Sequence, residues 1–321
     1  MSGQGTETEF EGVVQAAALP DELLPGEGSA FDHDWAAGPA REHRSRLHSV
    51  VRAFRDPAVA VPAALLFIIV FLCFAGPWVF HLPNPNVGNF KDDLLPVGSP
   101  GHLLGTNEFG NDMLSRLLHG GQVSLLVGIG ATAIGFSIGV VLGTTAGFYG
   151  GAVEAGLMRI FDVLFAFPGL ILALAIAAFL GPSVWHTIWA ISFFSLAGFG
   201  RLARGQTIRV RNYDYVVAAR ASGASAPQIV FGHIIPNVLP PLFAFAMFSV
   251  GGAMVAEAAL SFLGLGIQIP QPSWGNLISG AESFMSNDPM LLVMPAVALF
   301  LTVLAINLLA DSLRHRLRLN R

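Results

Sequence analysis

Hydrophobic positions in this chain fall in long unbroken runs rather than in helical stripes or in alternation. The runs extend from Ala58 to Phe80 and then, approximately, over Val123 to Phe148, Leu157 to Leu180, Val184 to Phe199, Val238 to Leu263 and Met290 to Leu309. A helix needs about 20 such residues to cross a bilayer, so the pattern predicts an all-α membrane protein with six transmembrane helices. Pro168-Gly169 interrupts the third run, and a residue before proline avoids the helical region, so a kink is expected at Phe167. Gly135, Gly139, Gly143 and Gly147 recur at every fourth position of the second run, a stripe that lets another helix approach closely. Three connections are long enough to have a task of their own: 81–122, 200–236 and 264–289.

Composition agrees with the pattern: 53% of residues are hydrophobic and 12% charged, which excludes a water-soluble globule. The basic residues orient the chain. Of the 17, only Lys91 and Arg116 fall outside if the N-terminus is cytoplasmic, so the positive-inside rule puts both termini in the cytoplasm. Residues 1–40 hold eight of the 21 acidic residues and no Lys or Arg. Too few apolar positions lie there to offset the entropy of ordering. A disordered cytoplasmic tail is expected, with a regulatory acidic arm anchored by Phe31 and Trp35 as the alternative. The remaining divisions are a basic cytoplasmic segment 41–57, a six-helix domain 58–311 that includes the cytoplasmic loop 200–236, and a basic C-terminus 312–321.

Candidate chemistry is sparse. Gly135-Phe136-Ser137-Ile138-Gly139 matches a serine nucleophile elbow in letters, but that motif needs a strand-to-helix turn and this one lies inside an apolar run. The nine histidines lie in tails, loops or helix ends, which leaves an intramembrane serine protease as a weak rival. Ionisable residues inside apolar runs are functional candidates because they are costly there. Glu257 interrupts the fifth run, while Arg159 and Asp162 stand three apart in the third, close enough to pair. So few charges equip a proton-coupled carrier poorly. A phosphate-binding loop needs Gly-Lys-Ser/Thr, and the sole lysine is Lys91, so this chain is not an ATPase and any ATP-driven engine is a partner. One cysteine, Cys73, permits neither an intrachain disulfide nor a thiolate cluster.

The cytoplasmic loop carries more information. From Arg211 to Ser225 it reads as a short helix capped by Asn212 or Asp214 and ended by Gly223, followed by a second helix capped by Ser225 with Pro227 in its first turn. Two short helices at a bend make a projecting element; an interfacial pair lying on the headgroups is the alternative.

This loop resembles the EAA signature of ABC importer permeases, here Val217-Ala218-Ala219, then Gly223, then His233-Ile234-Ile235-Pro236-Asn237. Three further segments resemble the dipeptide and oligopeptide permease C subunits. They are Leu104 to Arg116; Gly147-Phe148-Tyr149-Gly150-Gly151 with Met158 to Asp162 and Phe167-Pro168; and Ala256 to Gly266 with Ser273-Trp274-Gly275-Asn276. The likeness spans about residues 50–318. Val217 replaces the usual glutamate, His315 stands where an acidic residue is common, and the acidic tail has no general counterpart.

The resemblance implies a type I ABC importer permease (MetI-like) fold in the bacterial plasma (inner) membrane, with no cofactor on this chain. It implies a homologous permease as heterodimer partner, ATPase subunits or one fused ATPase that bind ATP and Mg, and an extracytoplasmic solute-binding protein. Peptide is the implied substrate; nickel or another small solute is the alternative, and nucleic acid is not a partner. Tyr213, Asp214, Val217, Ala218, Ala219, Arg220 and Gly223 would couple to the ATPase, and Glu257 and Ser261 would line the pathway or face the partner permease. Gln271, Trp274 and Asn276, in one of the two long outer segments, would offer the binding protein an aromatic and hydrogen-bonding handle.

Overall fold

The computed structural model describes residues 56–319. The acidic tail 1–40 and the arginines of the basic segment that follows it lie outside the described residues. Within them the regular structure is helical: α1 (Pro57–Val79), α2 (Met113–Tyr149), α3 (Gly151–Ala166), α4 (Gly169–Leu180), α5 (Val184–Val210), α6 (Asp214–Ala221), α7 (Ala226–Ile229), α8 (Ile235–Phe262), α9 (Trp274–Ala281) and α10 (Met290–Leu319). A π turn, Val230–Ile234, joins α7 to α8 without a break.

Among the described residues, four helical stretches are long and apolar enough to cross a membrane: Pro57–Val79, Met113–Tyr149, Ala226–Phe262 and Met290–Arg314. The pair α3 and α4 makes a fifth if it is one span. The third apolar run therefore does more than kink: its two helices meet at 88°. Pro168 has no N–H to give and forces Phe167 into the extended region (φ −94°, ψ 137°), which ends α3 outright. The fourth expected span, Val184 to Phe199, is the first part of a longer helix, α5, whose later turns carry Arg201, Arg204 and Arg209.

The glycine stripe of α2 is a packing seam, and α2 with α5 forms the most extensive helix pairing in the fold. A Cβ on Gly139 would stand 2.6 Å from the Leu196 carbonyl oxygen, and one on Gly147 would stand 2.9 Å from that of Arg204. On Gly143 it would collide with the carbonyl of Gly200. These are backbone obstacles, so no rotamer change can make room. Gly135-Phe136-Ser137-Ile138-Gly139 lies within this continuous helix, which rules out the strand-to-helix turn a nucleophile elbow requires.

The expected pairing of Arg159 with Asp162 does not form. Asp162 instead accepts from Arg201 of α5 at 2.7 Å, Glu154 pairs with Arg204, and the Arg201 guanidinium lies 4.2 Å from the centre of the Phe165 ring. Cross-helix partners win because α3 buries only Phe161, seated over Gly200, and its polar groups lie along α5.

Outside the membrane, residues 81–112 fold into a compact turn-rich cap. The Thr106 side chain accepts from Leu95 N at 2.9 Å and donates to the Asp92 carbonyl, while His102 contacts Asp112 at 2.9 Å. Asp112 also caps α2, accepting from Ser115 N at 2.7 Å.

Gly143→Ala is expected to destabilise the folded chain by about 1–3 kcal/mol, the usual range for overpacking a rigid site. Gly205→Ala, at a helical position with open space around it, should be neutral or slightly stabilising. Thermal melts of the two variants in one detergent check the contrast.

Candidate functional site

Chemistry-bearing residues gather at the two ends of α8. Near its N-terminal end, α6 starts from Tyr213, whose side chain makes no capping bond, so neither Asn212 nor Asp214 is the N-cap. Asp214 is the first helical residue, where its charge complements the exposed N–H groups. The end of the helix follows expectation. Gly223 adopts φ +81°, its N–H donates to the Arg220 carbonyl at 3.1 Å, and Ala224 N donates to the Ala219 carbonyl at 3.1 Å. That pair of bonds is a Schellman ending, which needs a left-handed residue at this point. Ser225 then opens α7 in a capping box with Gln228.

One side chain holds α6 down. Val216 is 0% exposed and joins a cluster with Val140 of α2, Ala203 and Val210 of α5, Ile229, Ile234, and Val238 and Leu242 of α8. The remaining surface of α6 points outward: Tyr213, Asp214, Tyr215, Val217, Ala218 and Arg220 are exposed, with Ala219 half-buried. Tyr213 and Tyr215 sit with ring centres 5.9 Å apart, and Tyr215 is 6.4 Å from the His233 ring. Burial, and secondarily the neighbouring Tyr213, raises the Tyr215 phenol above its ordinary pKa, so it remains a hydrogen-bond donor at physiological pH. Arg220 reaches back over Phe148 at 5.5 Å. Val217, in the glutamate position of the EAA pattern, is 55% exposed and presents apolar surface where an ion pair would otherwise form.

Near the C-terminal end of α8, Glu257 is 0% exposed within this chain. Its Oε2 accepts from Ser124 Oγ at 2.9 Å, and its Oε1 accepts from Ser261 Oγ and Ser273 Oγ, each at 2.8 Å. The next residues along α8 look elsewhere. Ala256 and Ala259 line an apolar cavity of about 240 Å³ shared with Gly169 and Ala173 of α4 and with Ile191 and Phe194 of α5. The surface at the cleft is thus apolar, while the carboxylate and Ser261 turn into the chain's own packing.

Trp274 is equally enclosed, at 1% exposed. Its indole donates to the Leu117 carbonyl at 2.9 Å and lies against Gly121, where a Cβ would stand 2.6 Å from the ring. The aromatic handle expected at the surface is therefore a bolt inside the fold: a large ring fills the notch that a glycine leaves. Asn276 donates to the Gln271 carbonyl at 2.7 Å, and Gln271 itself is exposed.

Sequence reading missed Ser124, Ser273 and Arg116. Ser273 had a signal, since Ser-x-x-Asn ahead of an apolar stretch is close to a capping box, and its hydroxyl does accept from Asn276 N at 3.1 Å. Arg116, 3% exposed, donates to the Pro85 carbonyl at 2.9 Å and lies 3.5 Å from that of Pro270, joining the two outer segments. No cluster of three or more His, Cys, Asp or Glu suited to a metal occurs among the described residues.

Residues 139–319 match the family described as binding-protein-dependent transport system inner membrane component. The chain belongs to this family. It is similar to the glutathione transport system permease protein GsiD of Pectobacterium atrosepticum, with 41% identity over 83% of this chain and 88% of that one. It is likewise similar to the di/tripeptide transport system permease protein DppC of Pseudomonas aeruginosa, with 37% identity over 88% and 95%. Among solved structures it shares its fold with a chain of the inward-facing MetNI methionine ABC transporter, at a TM-score of 0.52 and 18% identity over 62% of this chain and 94% of that one. The protein is thus a multi-pass permease subunit of an ABC importer of the inner membrane.

Replacing Gly223 by Val puts a β-branched residue at φ +81°, and a left-handed non-glycine costs about 1–2 kcal/mol. The permease should still fold, because nothing lies within 4 Å of that position, but residues 218–224 should exchange backbone hydrogens faster than wild type. Hydrogen exchange on the purified subunit reads this.

Proposed function

We propose that this permease encloses half of a translocation pathway for di- and oligopeptides, and that α6 is the coupling helix through which ATPase partners drive it. The observation that carries the proposal is the mounting of α6: an eight-residue helix fixed by one buried valine, with its tyrosines, Val217 and Arg220 turned outward. A helix that existed to bury surface would hide more than one side chain. Support for peptides comes from the relatives, whose names specify glutathione and di/tripeptides.

On this reading a homologous permease supplies the other half of the pathway, and the apolar cleft of α4, α5 and α8 belongs to it. Separate ATPases or one fused chain bind ATP and Mg and seat α6 in a groove. An apolar Val217 then calls for an apolar patch on the ATPase where other members would place a cation. A solute-binding protein delivers peptide to the outer segments 81–122 and 264–289, with Gln271 among the exposed contacts. Fifteen of the 17 basic residues fall on one side of the membrane when both termini are cytoplasmic, which supports that orientation. The bent pair and α5 then complete six spans.

Closure of the ATPases on ATP draws the coupling helices together and rotates the bundles between inward- and outward-open states. This chain moves no electrons and breaks no bond.

Crosslinking tests the docking. Cysteines at Ala218 and Ala221, both exposed, should bridge to the ATPase in the assembled complex in a nucleotide-dependent way. Failure of both to bridge while the complex stays intact would refute the assignment. Gly223→Val should in addition leave ATP hydrolysis running but cut transport per ATP hydrolysed by about tenfold, within the usual range of coupling energies. Proteoliposome uptake measured beside phosphate release checks this.

A further inference from the structure

The three serines around Glu257 share a feature that leaves each hydroxyl hydrogen available to the carboxylate. Each serine oxygen already accepts a backbone N–H: Ser124 from Trp274, Ser261 from Ile267 and Ser273 from Asn276, all at 3.1 Å. An N–H can only donate, so each hydroxyl has its own hydrogen free for the carboxylate. Backbone N–H donates to serine, and serine donates to Glu257, three times over.

The donors come from different parts of the fold. Ser124 stands on α2, Ser261 one turn beyond Glu257 on α8, and Ser273 at the N-cap of α9. Two of the three backbone donors, Trp274 and Asn276, belong to α9, and the third, Ile267, to the segment leading to it. Small residues bring these pieces together: a Cβ on Gly275 would stand 2.6 Å from Ala258 Cα, and one on Gly266 would strike Ser261. One carboxylate thus gathers donors from α2, α8 and the outer segment, beside the Trp274 and Arg116 contacts already described, on the same helix whose other end runs without a break into α7 beside the coupling helix.

We propose that Glu257 is a positioning residue of the transport cycle: it makes the outer segment 264–289 and the outer half of α8 one body, so that the state of the binding protein reaches the coupling helix. The inference rests on the role of α6 argued above. Glu257 touches no substrate and acts through the three hydroxyls. Losing the Ser273 bond removes the one side chain of the outer segment that touches the carboxylate directly, and leaves Trp274 and Ile267 linked to it only through the hydroxyls of Ser124 and Ser261, which still satisfy it. Glu257→Gln leaves one acceptor oxygen and two amide hydrogens; placed toward Ser261 and Ser273, the oxygen keeps the outer segment attached and loses only the acceptor for Ser124.

The experiment uses the complete transporter in nanodiscs, with its partner permease, ATPases and binding protein, and trialanine as the probe peptide. ATP hydrolysis is measured without and with the loaded binding protein. Ser273→Ala and Glu257→Ala should hold basal hydrolysis within about twofold of wild type while stimulation falls at least about fivefold, with Glu257→Gln intermediate, as loss of a coupling energy requires. Ser279→Ala, which removes only a 3.3 Å bond to the Phe262 carbonyl, should retain full stimulation.

Stimulation retained in Ser273→Ala and Glu257→Ala overturns the proposal. So does a fall of basal and stimulated rates by one common factor, which marks a purely structural role. Should Glu257→Ala fail to assemble, Ser273→Ala decides alone. Gly223→Val separates the two readings: if it uncouples and Ser273→Ala does not, only the role of Glu257 fails; if Gly223→Val does not uncouple, the assignment of α6 fails first.

Discussion

The close approach of α2 and α5 sets the geometry from which the rest of the chain follows. At membrane depth no aqueous term drives helices together, so association depends on contact at short range and on satisfied polar groups. Four glycines on one stripe of α2 permit that contact by removing the side chains that would hold the backbones apart. The seam ends where Arg211 donates to the Gly147 carbonyl at 2.6 Å, which fixes the last turn of α5 against the last turn of α2. Val140, Ala203 and Val210, all from this region, form the floor on which Val216 rests. The position of α6 is therefore an extension of the glycine seam.

A second constraint governs the outer end. A carboxylate removed from water costs several kcal/mol unless its oxygens are met by donors, and Glu257 meets three. Satisfying it obliges α2, α8 and α9 to be in register, because no one of them holds enough donors. The polar network thus specifies an arrangement that apolar packing would leave free to slide. Trp274 adds to it, filling the notch at Gly121 while its N–H finds the Leu117 carbonyl.

Much of this was legible in the sequence, because apolar runs, glycine spacing and a left-handed helix ending are local signals. Gly223 and the Ser225 cap could be read from neighbouring residues alone. Arg159 and Asp162 show the limit of that method: spacing within one helix allowed them to pair, but Arg201, 39 residues beyond Asp162 in the chain, took the carboxylate. Phe167 was placed as a kink, while the size of the bend depends on where α4 packs. Trp274 illustrates the same boundary from the other side. An aromatic in an outer loop reads as a surface handle, and only the distant Gly121 makes it a core residue.

Adjacent residues on α8 divide the labour of the helix. Ala256 faces the apolar cleft shared with α4 and α5, whereas Glu257, about 100° further round, faces the outer segment and α2. The cleft wall of small apolar side chains offers a bound molecule no charged or hydrogen-bonding group. The charge that such a wall avoids stands one residue away, where it fastens the outer segment to the helix. Because the two faces belong to one continuous helix, a rotation of α8 about its axis moves both together. Reshaping the cleft by a turn of α8 carries the outer segment along, for as long as the carboxylate holds its three hydroxyls.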